Sequence, residues 1–90
     1  MSNLEGSLIV TQEKGIHFRS MIEFNKICQR HSVNVVVKKQ STKLEASSSN
    51  TMGILLLCIS KGDEVVFKIS GEHKSSVEAA FNDFTLAFAA

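Results

Sequence analysis

The chain has no proline, no tryptophan and no tyrosine, and only two cysteines. Without proline, glycine, asparagine and serine are left to mark its boundaries. Cys28 and Cys58 do not make a disulfide framework. Each lies in an apolar-periodic segment and reads as a reduced thiol that behaves as a small buried hydrophobe. Long apolar runs are missing too. The longest, Ile54 to Ile59, is far short of the roughly 20 residues that cross a bilayer. The first residues show no basic stretch followed by an apolar one, so no secretory signal is expected and the expected location is cytoplasmic. Neither charge sign is in excess: ten Lys and Arg against nine Asp and Glu leave +1. That balance gives no electrostatic reason to expect nucleic acid or an anionic membrane as a partner. The three histidines, 17, 31 and 73, match no compact ligand spacing and no Cys-x-x-Cys exists, so no metal and no other cofactor is expected.

What is present fits a single domain over residues 1–90, with room for one core and modest stability. Hydrophobic residues at 43% and charged residues at 21% exclude wholesale disorder. Residues 4–11 carry Leu4, Gly6, Leu8 and Val10 on one period-two face, which predicts a strand. Gln12 to Gly15 is a polar loop. From Phe18 to Arg30, Met21, Phe24 and Cys28 recur at helical spacing with Ile22 and Ile27 beside them, an amphipathic helix. Val33 to Val37 is β-branched and reads as a strand, Lys38 to Ser41 as a turn, and Thr42 to Ser47 as a second arm with Leu44 and Ala46 on one face. Asn50 is suited to cap a short helix over Thr51 to Leu57. Helical spacing there turns Ile54, Leu57 and Cys58 inward and Met52, Leu55 and Leu56 outward. Lys61-Gly62-Asp63 is a turn, Glu64 to Ile69 an alternating strand, and His73 to Phe88 a helix striped by Val77, Ala80, Phe81, Phe84 and Phe88. The order β-α-β-β-α-β-α predicts an α+β open-faced sandwich: a four-stranded antiparallel sheet with three helices on one face. Phe24, Cys28, Val77, Phe81 and Phe84 are its expected core.

His31 should cap the end of the first helix or face solvent, and His73 should be solvated near the start of the last. His17 has a different setting. It follows Lys14-Gly15-Ile16 and immediately precedes a helix, whose first amides lack intrahelical acceptors. Those amides and the helix dipole make an anion site. Arg19 adds a planar cation that matches phosphate oxygens. A histidine beside that positive end is favoured as the neutral nucleophile, placed to take a phosphoryl group. Taken locally, the same residues also read as a histidine cap beside a solvated arginine, since His-x-Arg is a short pattern.

Gly15-Ile16-His17-Phe18-Arg19 resembles the Gly-Leu-His-x-Arg-Pro motif of the histidine-containing phosphocarrier (HPr) family of the phosphoenolpyruvate:sugar phosphotransferase system. Asn50 to Gly62 resembles that family's Ser-Ile-Met-Gly-x-Met-x-Leu-x-x-x-Lys-Gly segment, and a Gly-Glu pair, Gly71-Glu72, precedes the final helix. The resemblance spans roughly residues 5–88. It implies that the δ1 nitrogen of His17 accepts phosphate from phosphorylated enzyme I and passes it to an enzyme IIA domain. It implies that Arg19 steers the phosphoryl group and that the Phe18 and Arg19 amides complete its site. It also implies that Phe18, Thr51, Met52 and Leu55 dock enzyme I and enzyme IIA, and that the protein is a monomer and a reactant rather than a turnover enzyme. Three positions depart from the pattern. The motif's proline is Ser20, which restores an N–H and loosens the first turn, though serine can cap. Its usual small residue is the bulky Phe18. The regulatory serine of some members falls on Asn50, with Ser48 or Ser49 as competitors if the alignment gap lies elsewhere. A carrier of the nitrogen-type system, a non-phosphorylated docking module, and a small-ligand regulatory domain of the same class are the alternative readings.

Overall fold

The computed structural model describes residues Met1–Ala90. The elements are β1 (Ser2–Ile9), α1 (Ser20–His31), β2 (Asn34–Lys39), β3 (Glu45–Ser47), α2 (Thr51–Leu55), β4 (Glu64–Gly71) and α3 (Lys74–Phe88). They form one antiparallel sheet in the order β1-β4-β2-β3. The alternation of β4 explains its central place. Val65, Phe67 and Ile69 are fully buried on one face, while Glu64, Val66 and Lys68 turn to the other. Register then stacks inward rows across three strands: Leu4–Ile69–Val35, Gly6–Phe67–Val37 and Leu8–Val65–Lys39. All three helices cover this face, contributing Met21, Phe24, Ile27, Ile54, Val77, Ala80, Phe84 and Phe88 to one core cluster. The opposite face presents Asn3, Glu5 and Ser7 to solvent.

Three rings form the centre of that core. Phe84 lies 5.0 Å from Phe24 and 4.9 Å from Phe67, in tilted pairs that suit the ring quadrupoles. Phe81 was expected to be core but is half-buried. The tip of its ring lies over Gly6, where an added Cβ would come within 2.6 Å of Phe81 Cζ. The reason is geometric: α3 buries Val77, Ala80, Phe84 and Phe88, and a residue one step after Ala80 lies at the edge of that stripe. Cys28 is likewise half-buried at the rim of α1, whose buried residues are Met21, Phe24 and Ile27.

Helix α1 stops in a Schellman turn. Ser32 is left-handed at φ 53°, its N–H reaches Gln29 O, and the Val33 N–H reaches Cys28 O at 3.0 Å. The hairpin boundaries differ from the sequence reading. Lys38 and Lys39 belong to β2, because β4 continues to offer them Val66 and Val65 as partners. The turn is instead closed by Lys39 N–H to Leu44 O at 2.9 Å, so β3 is only three residues long and Leu44 is exposed. Likewise β1 begins at Ser2, since β4 pairs with it along its whole length. His31 neither caps α1 nor is simply solvated: its Nε2 lies 2.7 Å from Asp83 of α3, which also accepts from Arg30 at 3.0 Å.

Candidate functional site at the head of helix α1

The loop before α1 is held against the segment after α2. Gly15 sits at φ +64°, and an added Cβ would overlap the Ile59 carbonyl oxygen and lie 2.7 Å from Ser60 Cα. Only glycine combines that dihedral with that approach. The next residue, Ile16, is buried and donates its N–H to Ile59 O at 3.1 Å. With the chain pinned there, His17 emerges at the start of the helix.

Its carbonyl accepts the Met21 N–H at 3.2 Å, and Arg19 already has helical dihedrals, φ −65° and ψ −39°. His17 is therefore the capping residue, the one whose C=O takes the first intrahelical bond. Its ring completes the cap: the Arg19 N–H donates to His17 Nδ1 at 3.3 Å. Nδ1 thus carries its lone pair toward the positive end of the helix, and the ring proton belongs on Nε2. Ser20 closes the same turn. Its hydroxyl accepts the His17 N–H at 2.8 Å and donates to His17 O at 2.8 Å. The amides of Phe18 and Ser20 have no acceptor within the protein. The Arg19 side chain is exposed and engages none of the acids that form ion pairs. Phe18 is 74% exposed and takes no part in the core, while His17 is half-buried.

The expected docking residues lie partly as read. On α2, Met52 is 62% exposed and Thr51 is half-buried. Leu55, expected to face out, is half-buried and packs partly against the core, while Leu56 is 73% exposed. Asn50 caps α2 as expected, accepting the Gly53 N–H at 2.9 Å. Cys58 overturns its expected placement: it is exposed, not core. The helix ends at Leu55, and Cys58 adopts φ +54°, so helical spacing no longer applies to it. Two further exposed apolar residues stand beside these, Ile22, which the sequence reading did not single out as outward, and Leu56, which it turned outward as observed. Ile22 stands one turn after Phe18, off the buried stripe, and Leu56 stands one turn after Met52. The i, i+4 spacing from Phe18 was the signal for Ile22. In the serine cluster, the Ser48 hydroxyl accepts the Val35 N–H at 3.1 Å and Ser49 bonds to Ser47, which is turn and sheet-edge chemistry. His31 and His73 lie instead by a polar cleft between the end of α1 and the start of α3, which does not include His17. No group of three or more His, Cys, Asp or Glu is placed to hold a metal ion.

The family model described as "PTS HPr component phosphorylation site" matches residues 4–86. A phosphocarrier protein HPr from Xylella fastidiosa (strain 9a5c) is 28% identical over 80 residues, covering 89% of this chain and 88% of that protein. Among solved structures, a phosphocarrier protein HPr from Bacillus anthracis str. Ames superposes with a TM-score of 0.81 at 17% identity, over 98% of this chain and 99% of that one. HPr-C-His from Thermoanaerobacter tengcongensis gives 0.75 at 20% identity, over 97% of both chains. Those structures share the open-faced sandwich of four antiparallel strands and three helices, and the family match runs through the loop and helix that carry His17. The chain belongs to the HPr family of phosphotransferase-system phosphocarriers.

Proposed function

We propose that this protein carries a phosphoryl group on Nδ1 of His17, taking it from phosphorylated enzyme I and delivering it to an enzyme IIA domain of a sugar phosphotransferase system. The observation that carries the reading is the placement of Nδ1, 3.3 Å from the Arg19 amide at the head of α1, in a chain of this family. The Nδ1 lone pair attacks phosphorus as the bond to the donor breaks, and the donor keeps that bond's electron pair. The proton on Nε2 stays where it is. The phosphoryl oxygens displace the weak ring–amide contact and face the free Phe18 and Ser20 amides as well as that of Arg19. Fixed amides of this kind stabilise charge without reorganising at the moment of transfer. The Arg19 guanidinium, free of any acid, swings onto the same oxygens. Phe18, Ile22, Met52 and Leu56 supply apolar surface for the partners, with Thr51 and Leu55 at its rim. Release to the next protein reverses the step, so the protein is a reactant in each half of the transfer.

The test is incubation with phosphoenolpyruvate and enzyme I, followed by mass spectrometry before and after acid. Wild type, His31→Ala and His73→Ala should gain an acid-labile phosphoryl group, and His17→Ala should not. Arg19→Ala should be labelled more slowly, since the amides remain. Label retained by the His17→Ala protein would overturn the assignment.

A further inference from the structure

We infer that Ser20 is a positioning residue for His17, its hydroxyl holding the histidine's backbone so that Nδ1 stays aimed at the helix amides. This rests on the phosphocarrier reading and deepens it. A hydroxyl has one proton to give and lone pairs to accept with, and Ser20 uses both on one residue. It accepts the His17 N–H and donates to the His17 C=O, each at 2.8 Å, near the optimum for such bonds. Both sides of the His17 Cα are thereby fixed. The ring, whose only bond is the 3.3 Å contact from the Arg19 amide, inherits its direction from that fixed backbone.

This arrangement explains a departure from the family motif. A proline at this position would preset its own φ but could offer neither a hydroxyl nor an N–H. Serine replaces that rigidity with a clasp reaching three residues back, one half of the reciprocal capping box. It also adds an amide that no group in the protein occupies. The expected loosening of the turn is therefore offset by the side chain itself. The Ser20 hydroxyl touches no reacting atom and acts only through His17.

The experiment compares wild type, Ser20→Thr and Ser20→Val, the last two alike in shape and differing in the hydroxyl. Nitrogen chemical shifts of the His17 ring and exchange of the His17 amide are read by nuclear magnetic resonance on the unphosphorylated protein. Wild type and Ser20→Thr should show Nδ1 unprotonated and a protected His17 amide. Ser20→Val should show mixed ring tautomers and faster exchange at His17, with the remaining α1 amides unchanged. The rate of labelling by phosphorylated enzyme I should fall roughly five- to thirty-fold in Ser20→Val, the range expected for losing one or two net hydrogen bonds, and stay near wild type in Ser20→Thr. The Michaelis constant for the carrier should not change, because the docking surface is untouched. Ser20→Val with His17 ring and amide signals equal to those of Ser20→Thr overturns the positioning role. A wild-type protein that accepts no phosphoryl group overturns the phosphocarrier reading instead, while the resonance comparison still decides the clasp.

Discussion

Replacing Gly15 by alanine should disturb the loop that presents His17, and the size of the effect follows from two separate costs. The first is the backbone. At φ +64° an L-residue is left-handed, which costs about 1–2 kcal/mol. The second is contact. The new Cβ overlaps the Ile59 carbonyl oxygen, the group that accepts the Ile16 N–H. Ile16 is buried, so moving the loop away leaves an amide unsatisfied at a cost of about 1–3 kcal/mol. Together the loss should be roughly 2–5 kcal/mol, large against the ~5–15 kcal/mol of an ordinary domain. Gly62 supplies the control. It too has positive φ, +93°, but an added Cβ there meets nothing within 4 Å. Gly62→Ala therefore carries a backbone cost with no contact, and at a φ beyond the left-handed well that cost is an upper bound for the one at Gly15. Urea unfolding of wild type and both variants, followed by circular dichroism, measures the losses. Labelling by phosphorylated enzyme I should also slow in Gly15→Ala and not in Gly62→Ala. A loss in Gly15→Ala no larger than the backbone cost alone, about 1–2 kcal/mol, would refute the close approach of this loop to Ile59, and with it the account of how His17 is placed.

Phe84→Ala should cost about 3–5 kcal/mol, since it removes the ring that joins Phe24 and Phe67, whereas half-buried Phe81→Ala should cost roughly half as much. A reversed order in thermal denaturation would show the core misassigned. The Asp83 carboxyl is held below its usual range, first by the hydrogen bond from His31 and then by Arg30. A depressed carboxylate contributes stability above its unfolded pKa and loses it as pH falls through the folded one. The stability gap between wild type and Asp83→Asn should thus be flat at mildly acid pH and shrink below about pH 4. Burial pushes the Cys28 thiol up to about 11 against a weaker opposing bond from Ser48, while Cys58 is exposed. At about pH 8 iodoacetamide should modify Cys58 alone, with Cys28 reacting only on unfolding; rapid double alkylation would contradict the packing of α1. Met52→Glu should weaken binding to enzyme I, because an unpaired charge is desolvated at the contact, and unchanged affinity in titration calorimetry would remove α2 from the docking surface.

Much of the fold was legible because its signals are local and periodic. The alternation over Glu64 to Ile69 and the stripe over Val77 to Phe88 repeat at the spacing of their own elements, so each announces its buried face. The Asn50 cap was equally readable, since a capping bond spans three residues. His17 and Arg19 stood out by motif, and the loop-to-helix position carried its own physical argument. Where the reading failed, a neighbour distant in sequence decided the outcome. Lys38 and Lys39 became strand because β4 offered them partners, and Leu44 was left outside by the turn that followed. Cys58 kept a helical spacing in sequence that the chain abandoned after Leu55, and its own left-handed backbone leaves it exposed. His31 found Asp83 across two helices, a contact between residues 52 apart that no window along the chain contains.

The same division runs through the site. The sequence by itself marked His17 as the phosphoryl acceptor candidate, by its place before a helix with orphan amides together with the family motif, while the local residues alone also read as a simple cap. Ser20 shows the limit of that reasoning. Its residue type allowed either a loosened turn or a cap, and only the folded geometry closed the hydroxyl onto both sides of His17. Gly15 shows the same limit from the other side. Its place at the end of a polar loop was visible, but its necessity comes from Ile59, 44 residues away, whose carbonyl leaves no space for a Cβ. Hydrogen bonds within one turn are written in adjacent residues, whereas close approach between distant segments exists only once the whole core has packed.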